Sequence, residues 1–403
     1  MMFEEEINQI VRNLKPSGIR KFFDIAATRK GVVSLGVGEP DFITPWHIRE
    51  AAIYAIEKGR TFYTGNKGLP ALRKGICDYY RRRFGISYDP EENAIVTVGG
   101  SEAIDIVLRT LLKPGDEVIL PTPAYVAYAA IIEMAEGKVV EVELKEEDRF
   151  KLTPEALEKV ITDRTKAIIL NFPGNPTGGI MTHDDYAKIV PILKKYHIFA
   201  VTDEIYAELT YEGKHSSIAE FDEIKDQTIV INGFSKAYSM TGYRVGYILA
   251  HKDLISMILK IHQYTIMCAT TPSQYAAIEA VNNGDNDIAE MALSFKQRRN
   301  YIVRELNRIG LKTHMPEGAF YVFPSIKVTG LGSEEFCEKL LDEENLALVP
   351  GNAFGQAGEG YVRISYAYSL DEIKTAISRL ESFLNNHRYT KKRSSFTLLF
   401  FIN

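Results

Sequence analysis

Short apolar runs alternate with helix-like segments through the middle of the chain. Apolar runs of about four to eight residues, bounded by turn residues, predict buried strands. The runs lie in NAIVTVGG, DEVILPTP, KVVEVEL, TKAIILNFP, IFAVTDEIY and QTIVINGFS, between residues 93 and 235. Buried strands separated by helices are typical of a mostly parallel sheet covered on both faces. The pattern therefore predicts an α/β fold.

The pattern changes after about residue 284. A long helical stretch, IAEMALSFKQRRNYIVRELNRIG, precedes the strand-like segments GAFYVFPSI, LALVPG and GYVRISYA, which predicts a smaller α+β domain. We divide the chain into an N-terminal segment packing with the small domain (1–44), a large domain (45–283), the small domain (284–388) and a disordered tail (389–403). The apolar run in the tail is far shorter than the roughly 20 residues of a membrane span.

Composition excludes several classes of protein. The 403 residues are 45% hydrophobic and 25% charged, with a net charge of −5, which argues against collagen-like, disordered and polytopic membrane chains. No overall basic field is available to attract nucleic acid or an anionic membrane. Cys77, Cys268 and Cys337 form no CxxC pair, so we expect neither a disulfide framework nor a metal site. The acidic N-terminus carries no visible signal peptide, and we expect a cytoplasmic enzyme.

The stretch NGFSKAYSMTGYRVGY, residues 232–247, carries the strongest candidate chemistry. Ser235 and Lys236 follow a predicted strand, and Arg244 comes a few residues later. The carboxyl edge of a parallel sheet is where α/β folds bind ligands. A desolvated lysine near other cations can act there as a nucleophile. The alternative, a solvated surface lysine, would be favoured if this stretch stood alone.

Three other segments favour a nucleophilic Lys236 over a solvated surface lysine. In TDEIY, Asp203 follows an apolar strand and Tyr206 lies three residues later. In NFPGNPTGG, Asn175 lies in a rigid turn at another strand end. In VGGSEA, glycines lead from a strand into a helix at Ser101, where backbone N–H groups could hold a phosphate. The plain alternatives are a satisfied carboxylate, an ordinary turn, and a helix with Ser101 as N-cap.

Together these segments closely resemble the class I/II aminotransferases, the fold type I enzymes that use pyridoxal 5'-phosphate (PLP). The resemblance runs from about residue 17 to about residue 386. Its motifs stand in the family's order: LGVGEPDF, YTGNKGLPALR, VGGSEA, NFPGNPTGG, TDEIY, NGFSKAYSMTGYRVGY, EGAFYVFP and GYVRISYA. Within the family the chain looks most like the aspartate, aromatic and N-acetyl-diaminopimelate aminotransferases, especially the "aminotransferase A" type of Firmicutes.

The resemblance implies roles at the cofactor ring. Lys236 matches the lysine that attaches PLP covalently and moves the substrate proton. Asp203 matches the carboxylate that pairs with the pyridine nitrogen, which favours the electron-accepting form of the ring. Asn175 and Tyr206 match the residues that hydrogen-bond the ring hydroxyl. Tyr125, in PTPAYVAY, matches the aromatic residue that stacks on the ring, although simple core packing would also explain it.

The resemblance also implies how the phosphate is held. Ser101 and the backbone of Glu102, at the helix N-terminus, match phosphate ligands, as do Ser235 and Arg244. Arginine suits this task because its planar fork donates parallel charge-assisted hydrogen bonds. Tyr63, in FYTGNKG, matches a tyrosine that reaches the phosphate from the neighbouring subunit, which implies a homodimer with a shared active site.

Substrate contacts follow in the same way. Arg363, in GYVRISYA, matches the arginine that binds the substrate α-carboxylate, and a structural ion pair is its alternative. Asn175 is also expected to contact the substrate. Gly38 matches a loop near that carboxylate, and Ile19 is expected to help close the cleft. The implied reaction is a ping-pong transamination between an L-amino acid and a 2-oxo acid, with 2-oxoglutarate as the expected acceptor.

Three alternatives remain open at this point. A carbon–sulfur β-lyase would use the same fold and cofactor. A serine hydrolase could use Ser101, but Ala103 stands where the G-x-S-x-G elbow needs its last glycine. A transcription regulator with an aminotransferase-like domain would need a DNA-binding module, for which we expect no room before SGIRKF. No motif selects among aspartate, aromatic, branched and diaminopimelate-type substrates.

Overall fold

A computed structural model describes residues 4–14 and 29–399 of the chain, with side chains as far as His387. Its strands are β1 (Val33–Ser34), β2 (Ala94–Thr97), β3 (Glu117–Thr122), β4 (Lys138–Glu143), β5 (Thr165–Asn171), β6 (Phe199–Asp203), β7 (Thr228–Gly233), β8 (Gly246–Leu249), β9 (Tyr321–Val322), β10 (Leu346–Ala347), β11 (Val349–Pro350) and β12 (Val362–Ser365). Strands β2 to β8 form a single seven-stranded sheet in the order β2-β8-β7-β6-β5-β3-β4.

This sheet is parallel except at β8, which runs antiparallel to both β2 and β7. The predicted mostly parallel α/β sheet is therefore confirmed. Strands β2, β3, β7 and β8 are buried along their whole length, as expected where helices cover both faces. The sequence pattern did not predict strand β8, whose first two residues lie within the stretch NGFSKAYSMTGYRVGY.

The helices pack on the sheet and form most of the remaining structure. They are α1 (Gln9–Asn13), α2 (Trp46–Glu57), α3 (Pro70–Phe84), α4 (Gly99–Leu111), α5 (Ala127–Met134), α6 (Pro154–Glu158), α7 (His183–Lys195), α8 (Lys252–Thr265), α9 (Thr271–Asn283), α10 (Asp285–Arg308), α11 (Ser333–Glu344) and α12 (Leu370–Leu399). Helix α6 begins after Thr153, whose side chain accepts a hydrogen bond from the N–H of Ala156.

Two smaller sheets accompany the C-terminal helices. Strands β11, β12 and β9 form an antiparallel sheet, and β1 pairs in parallel with β10. Their apolar side chains share a core with α10, α11 and α12 that includes Phe295, Phe336, Ile364 and Phe383. The N-terminal strand β1 thus lies against C-terminal elements. The domain boundaries given above stay a prediction.

The last helix extends into the tail of the chain. Helix α12 continues to Leu399, within the segment 389–403, whose disorder stays a prediction. Its residues include neither glycine nor proline, the two residues that most often end a helix. Across residues 4–14 and 29–399, the helices all lack the combination of length and apolar character needed to span a membrane.

Candidate active site

A cavity of about 510 Å³ opens at the carboxyl edge of the large sheet. Asp203 ends β6, Asn175 follows β5, and Ser235 and Lys236 follow β7, because parallel strands bring their carboxyl ends to one edge. The predicted site residues that line the cavity are Gly38, Ser101, Tyr125, Asn175, Asp203, Tyr206, Ser235, Lys236, Arg244 and Arg363. Residues separated by more than 300 positions in the chain therefore meet in one place.

Lys236 lies in the cavity with its Nζ donating a hydrogen bond to the backbone oxygen of Gly38, at 2.6 Å. Burial, together with the nearby cations Arg363 and Arg244, lowers the pKa of Lys236 to about 8, although Glu39 acts in the opposite direction. A substantial fraction of the amine is therefore neutral near pH 8. A neutral amine can act as a nucleophile or accept a proton.

Asp203 is buried in the wall of this cavity. Its Oδ2 accepts a hydrogen bond from the hydroxyl of Tyr128 at 2.7 Å, and its Oδ1 accepts one from the N–H of Ile205 at 3.1 Å. Burial raises the pKa of Asp203 to about 6, although both hydrogen bonds lower it. Within the described ranges this carboxylate forms no salt bridge. It can therefore take a cationic partner from a ligand.

The first turn of α4 forms another wall of the cavity. Helix α4 begins at Gly99, with Val98 as N-cap, so the alternative in which Ser101 serves only as the N-cap is wrong. Gly99 has φ +73°, which lets the chain turn into the helix two residues earlier than expected. A Cβ atom at Gly99 would lie 2.7 Å from Nη2 of Arg244. The glycine thus allows a guanidinium group to approach the helix N-terminus.

Arg363 is held in a different environment. It is only 3% exposed on β12, and its guanidinium carbon lies 4.5 Å from the ring centre of Tyr321 and 4.8 Å from that of Phe354. Its Nη1 donates to Oδ1 of Asn175 at 2.9 Å, and Nη2 donates to the backbone oxygen of Gly36 at 2.5 Å. Both acceptors are neutral. The alternative of a structural ion pair finds no support in the described part of the chain.

The unsatisfied polarity of Arg363 points to an anionic ligand. Its Nε is buried without a hydrogen-bond partner in the part of the chain that the structure describes. An arginine buried without a counter-charge is costly, and a carboxylate binds the guanidinium fork through two parallel hydrogen bonds. The cavity thus offers a carboxylate-binding group that is already oriented by two aromatic rings.

Four tyrosines complete the walls. The hydroxyl groups of Tyr206 and Tyr321 lie 2.9 Å apart, and burial raises the pKa of Tyr206, so it stays protonated and can donate. The ring of Tyr125 packs edge-on against that of Tyr128, with centres 5.5 Å apart. Tyr125 lines the cavity and also packs against the apolar core beside the large sheet.

Two predicted site residues in the described part of the chain do not line the cavity. The carboxylate of Glu102 faces the backbone N–H of Val98 and the side chain of His262, although its own backbone lies in the first turn of α4. The side chain of Tyr63 is 81% exposed and does not line the cavity of its own chain. Ile19 lies outside the described residues.

Some cavity residues were not predicted. They include Val37, Glu39, Ile104, Tyr128, Asn171 and Tyr321. Tyr128 lies three residues after Tyr125 in PTPAYVAY, so a second tyrosine close to the first was an available signal. Tyr321 lies within the motif EGAFYVFP, but its neighbours there are equally aromatic, so the sequence does not distinguish it.

These groups match the chemistry of pyridoxal phosphate. Lys236 can attach its carbonyl group, Asp203 can pair with its ring nitrogen, and the N-terminus of α4 with Arg244 can bind its phosphate. The unpartnered Nε of Arg363 remains for a substrate carboxylate. The residues present therefore fit the cofactor that the sequence resemblance implied.

Comparisons with known proteins agree with this chemistry. The model of the family "Aminotransferase class I and II" matches residues 30–380. YugH of Bacillus subtilis is 48% identical, over 94% of this chain and 98% of its own length. A protein named probable N-acetyl-LL-diaminopimelate aminotransferase, from the same organism, is 44% identical over 96% and 97%.

A solved structure shows the same fold. The aspartate aminotransferase of Thermus thermophilus with maleate superposes with a TM-score of 0.89 at 36% identity, over 93% of this chain and 99% of that one. The expected fold and cofactor are thereby confirmed. The chain belongs to the class I and II aminotransferases, which are enzymes that depend on pyridoxal phosphate.

Proposed function

We propose that this aminotransferase moves the amino group of an L-amino acid to a 2-oxo acid, with 2-oxoglutarate as the acceptor, in two half-reactions of a ping-pong cycle. The donor or product is of the aspartate, aromatic or diaminopimelate type. The names of the relatives support this range, since they cover aspartate and N-acetyl-diaminopimelate aminotransferases. The observation that carries the proposal is the meeting of Lys236, Asp203 and Arg363 at one cavity.

Lys236 has two tasks in this proposal. Bound pyridoxal phosphate supplies an electrophilic carbonyl carbon and a ring that accepts electrons from the substrate. Lys236 holds the cofactor until an amino acid displaces it, and its freed amine then moves the proton of the substrate Cα. Its lowered pKa, about 8, supports this role, because a lysine with its ordinary pKa would be almost fully protonated at neutral pH.

Asp203 and the residues around it set the properties of the cofactor ring. A cation at the ring nitrogen would replace the solvent that Asp203 loses on burial, and would keep this carboxylate ionised. Asn175 and Tyr206 are assigned to the ring hydroxyl, and Tyr125 to the ring face. Asn175 also accepts a hydrogen bond from Arg363, so it can link the cofactor and substrate positions.

The phosphate is assigned to the N-terminus of α4. Backbone N–H groups at Ser101 and Glu102, the hydroxyl of Ser235 and the guanidinium of Arg244 are the proposed donors. The positive end of the helix dipole favours a dianion at this point. Arg244 donates one hydrogen bond to the backbone oxygen of Thr241 at 3.1 Å, which leaves other N–H groups of its fork for the phosphate.

Arg363 is assigned to the substrate α-carboxylate, beside Gly38. The guanidinium is fixed by two rings and two neutral oxygens before any substrate arrives, so little side-chain entropy is lost on binding. Both the amino donor and the 2-oxo acid acceptor carry an α-carboxylate. One arginine can therefore orient both substrates in the two half-reactions.

We further propose that the enzyme is a homodimer and that Tyr63 completes the phosphate site of the partner. Tyr63 and Phe62 are 81% and 80% exposed on a loop that is nevertheless fixed, because Thr271 donates to the backbone oxygen of Phe62 at 2.6 Å. Tyr264 is exposed as well, at 88%. Large apolar groups exposed on ordered backbone are typical of interaction surfaces. Sedimentation should give twice the 45.4 kDa chain mass; a monomer would exclude the shared site.

A panel of ¹⁵N-labelled amino acids tests the reaction and its substrate. With 2-oxoglutarate present, the label should appear in glutamate, and ranking the donors by kcat/KM would identify the preferred one. Without an acceptor, each enzyme molecule should process about one donor and stop. Continued release of ammonia and pyruvate from sulfur amino acids without an acceptor would instead indicate a β-lyase.

A further inference from the structure

A buried histidine lies behind the proposed phosphate site. His262, on α8, is fully buried, and its Nδ1 lies 2.7 Å from Oε1 of Glu102. Because an ionised carboxylate only accepts hydrogen bonds, Nδ1 carries the proton and donates it. Its Nε2 is buried without a partner among the described residues. A leucine would fill this space without an unsatisfied nitrogen, so packing alone does not account for an imidazole here.

Glu102 places a negative charge at the N-terminus of α4, which is also the proposed binding position of the cofactor phosphate. Its carboxylate accepts a hydrogen bond from the N–H of Val98, the N-cap of α4, and its side chain is 9% exposed. Gly100 and Ser101, in the same turn, line the cavity. An anion at a helix N-terminus is favourable alone, but it repels a second anion and competes for the free N–H groups.

We propose that His262 is a positioning residue for cofactor phosphate binding. Its N–H donates to the carboxylate of Glu102 and holds it against Val98, behind the turn. The N–H groups at the front of the turn then stay available to the phosphate. This inference rests on the proposed placement of the phosphate at α4.

The phosphate preference of the apoprotein tests this directly. We define it as the Kd of pyridoxal divided by the Kd of pyridoxal phosphate, both measured on the full chain after cofactor removal. His262→Leu should lower the preference about tenfold, because the carboxylate of Glu102 then loses the hydrogen bond that holds it behind the turn and is free to repel the phosphate. His262→Asn should keep it within about threefold, since its amide nitrogen occupies nearly the position of Nδ1. If the leucine variant does not fold, His262→Met replaces it.

A matched control uses another buried histidine. His215 lies 3.3 Å from the carboxylate of Glu204, away from α4, and both side chains are at most 5% exposed. His215→Leu should leave the phosphate preference unchanged. If His262→Leu weakens the binding of both ligands equally, as a general loss of structure would, the proposal is overturned.

A second substitution tests the electrostatic part of the account. Glu102→Gln removes the charge and retains the shape of the side chain. Combined with His262→Leu, it should restore the phosphate preference to within about threefold of the wild type. A double variant as weak as His262→Leu alone would overturn the proposal.

Arg244→Gln separates this inference from the proposed function. Arg244→Gln should lower the phosphate preference whether or not His262 has the proposed positioning role. If Arg244→Gln has no effect, the placement of the phosphate is wrong. If Arg244→Gln lowers the preference and His262→Leu does not, the role of His262 alone is wrong.

Discussion

The two anion-binding ends of the cavity are built differently. At the α4 end, Arg244 is exposed in a loop, has φ +53°, and shares its task with backbone N–H groups. At the β12 end, Arg363 is buried between two aromatic rings and has no described counter-charge. A site with several donors can lose one and still bind. A site with a single buried arginine cannot, so we expect the same substitution to have different effects at the two ends.

The largest effect should come from Lys236, which lies between these ends. Lys236→Ala should lower turnover about 10⁴- to 10⁶-fold, because both the attachment of the cofactor and the proton transfer are lost. The phosphate preference of the apoprotein should persist, since neither arginine has changed. Absorbance titration with pyridoxal phosphate and pyridoxal measures the second property. Transamination near the wild-type rate would exclude the assigned role of Lys236.

Arg363→Lys should have the next largest effect. Lysine cannot donate two parallel hydrogen bonds or fill the flat space between the rings of Tyr321 and Phe354. We expect kcat/KM for the amino donor and for the 2-oxo acid to fall about 100-fold, while the Kd of pyridoxal phosphate changes less than about threefold. Steady-state kinetics with both substrates measures this. An equal loss of cofactor affinity would remove the distinction between the two ends.

Arg244→Lys should have a smaller effect, and on a different quantity. The Kd of pyridoxal phosphate should rise about tenfold, because the backbone N–H groups and Ser235 remain. The Kd of pyridoxal and kcat at saturating cofactor should change little. If kcat falls instead while cofactor affinity is retained, Arg244 acts on the substrate, and its assignment to the cofactor phosphate is wrong.

The smallest effect should be a shift in pH dependence at Asp203. Its pKa is about 6, and the hydrogen bond from Tyr128 lowers it by stabilising the ionised form. Tyr128→Phe removes that bond and should raise the pKa. Cofactor affinity, which requires the carboxylate, should then be lost at a pH roughly half to one unit higher as the solution is acidified. Fluorescence titration between pH 5 and 8 measures it, with Tyr125→Phe as control; an unchanged midpoint would show that Tyr128 does not act on Asp203.

The part of the site that the sequence could predict follows from one geometric rule. Asp203, Asn175 and Lys236 each follow a predicted strand of the same parallel sheet, and such strands end at one edge. Their meeting did not require knowledge of side-chain contacts. The central sheet was predictable for the same reason, since its strands are short, apolar and separated by helices.

The remainder depends on contacts between distant residues. Glu102 and His262 are 160 residues apart, and neither belongs to a pattern that names the other. The start of α4 was misplaced because a glycine with positive φ begins the helix before the better capping residue, Ser101. The exposure of Tyr63 follows from how its loop is held, which the sequence does not show.

The most direct test of the two-ended site is a crossed measurement on Arg244→Lys, Arg363→Lys and the double variant. For each, the Kd of pyridoxal phosphate and kcat/KM of the amino donor at saturating cofactor are determined. We predict that Arg244→Lys changes the first quantity, Arg363→Lys changes the second, and the double variant shows the two losses independently. Loss of both quantities in each single variant would contradict the account.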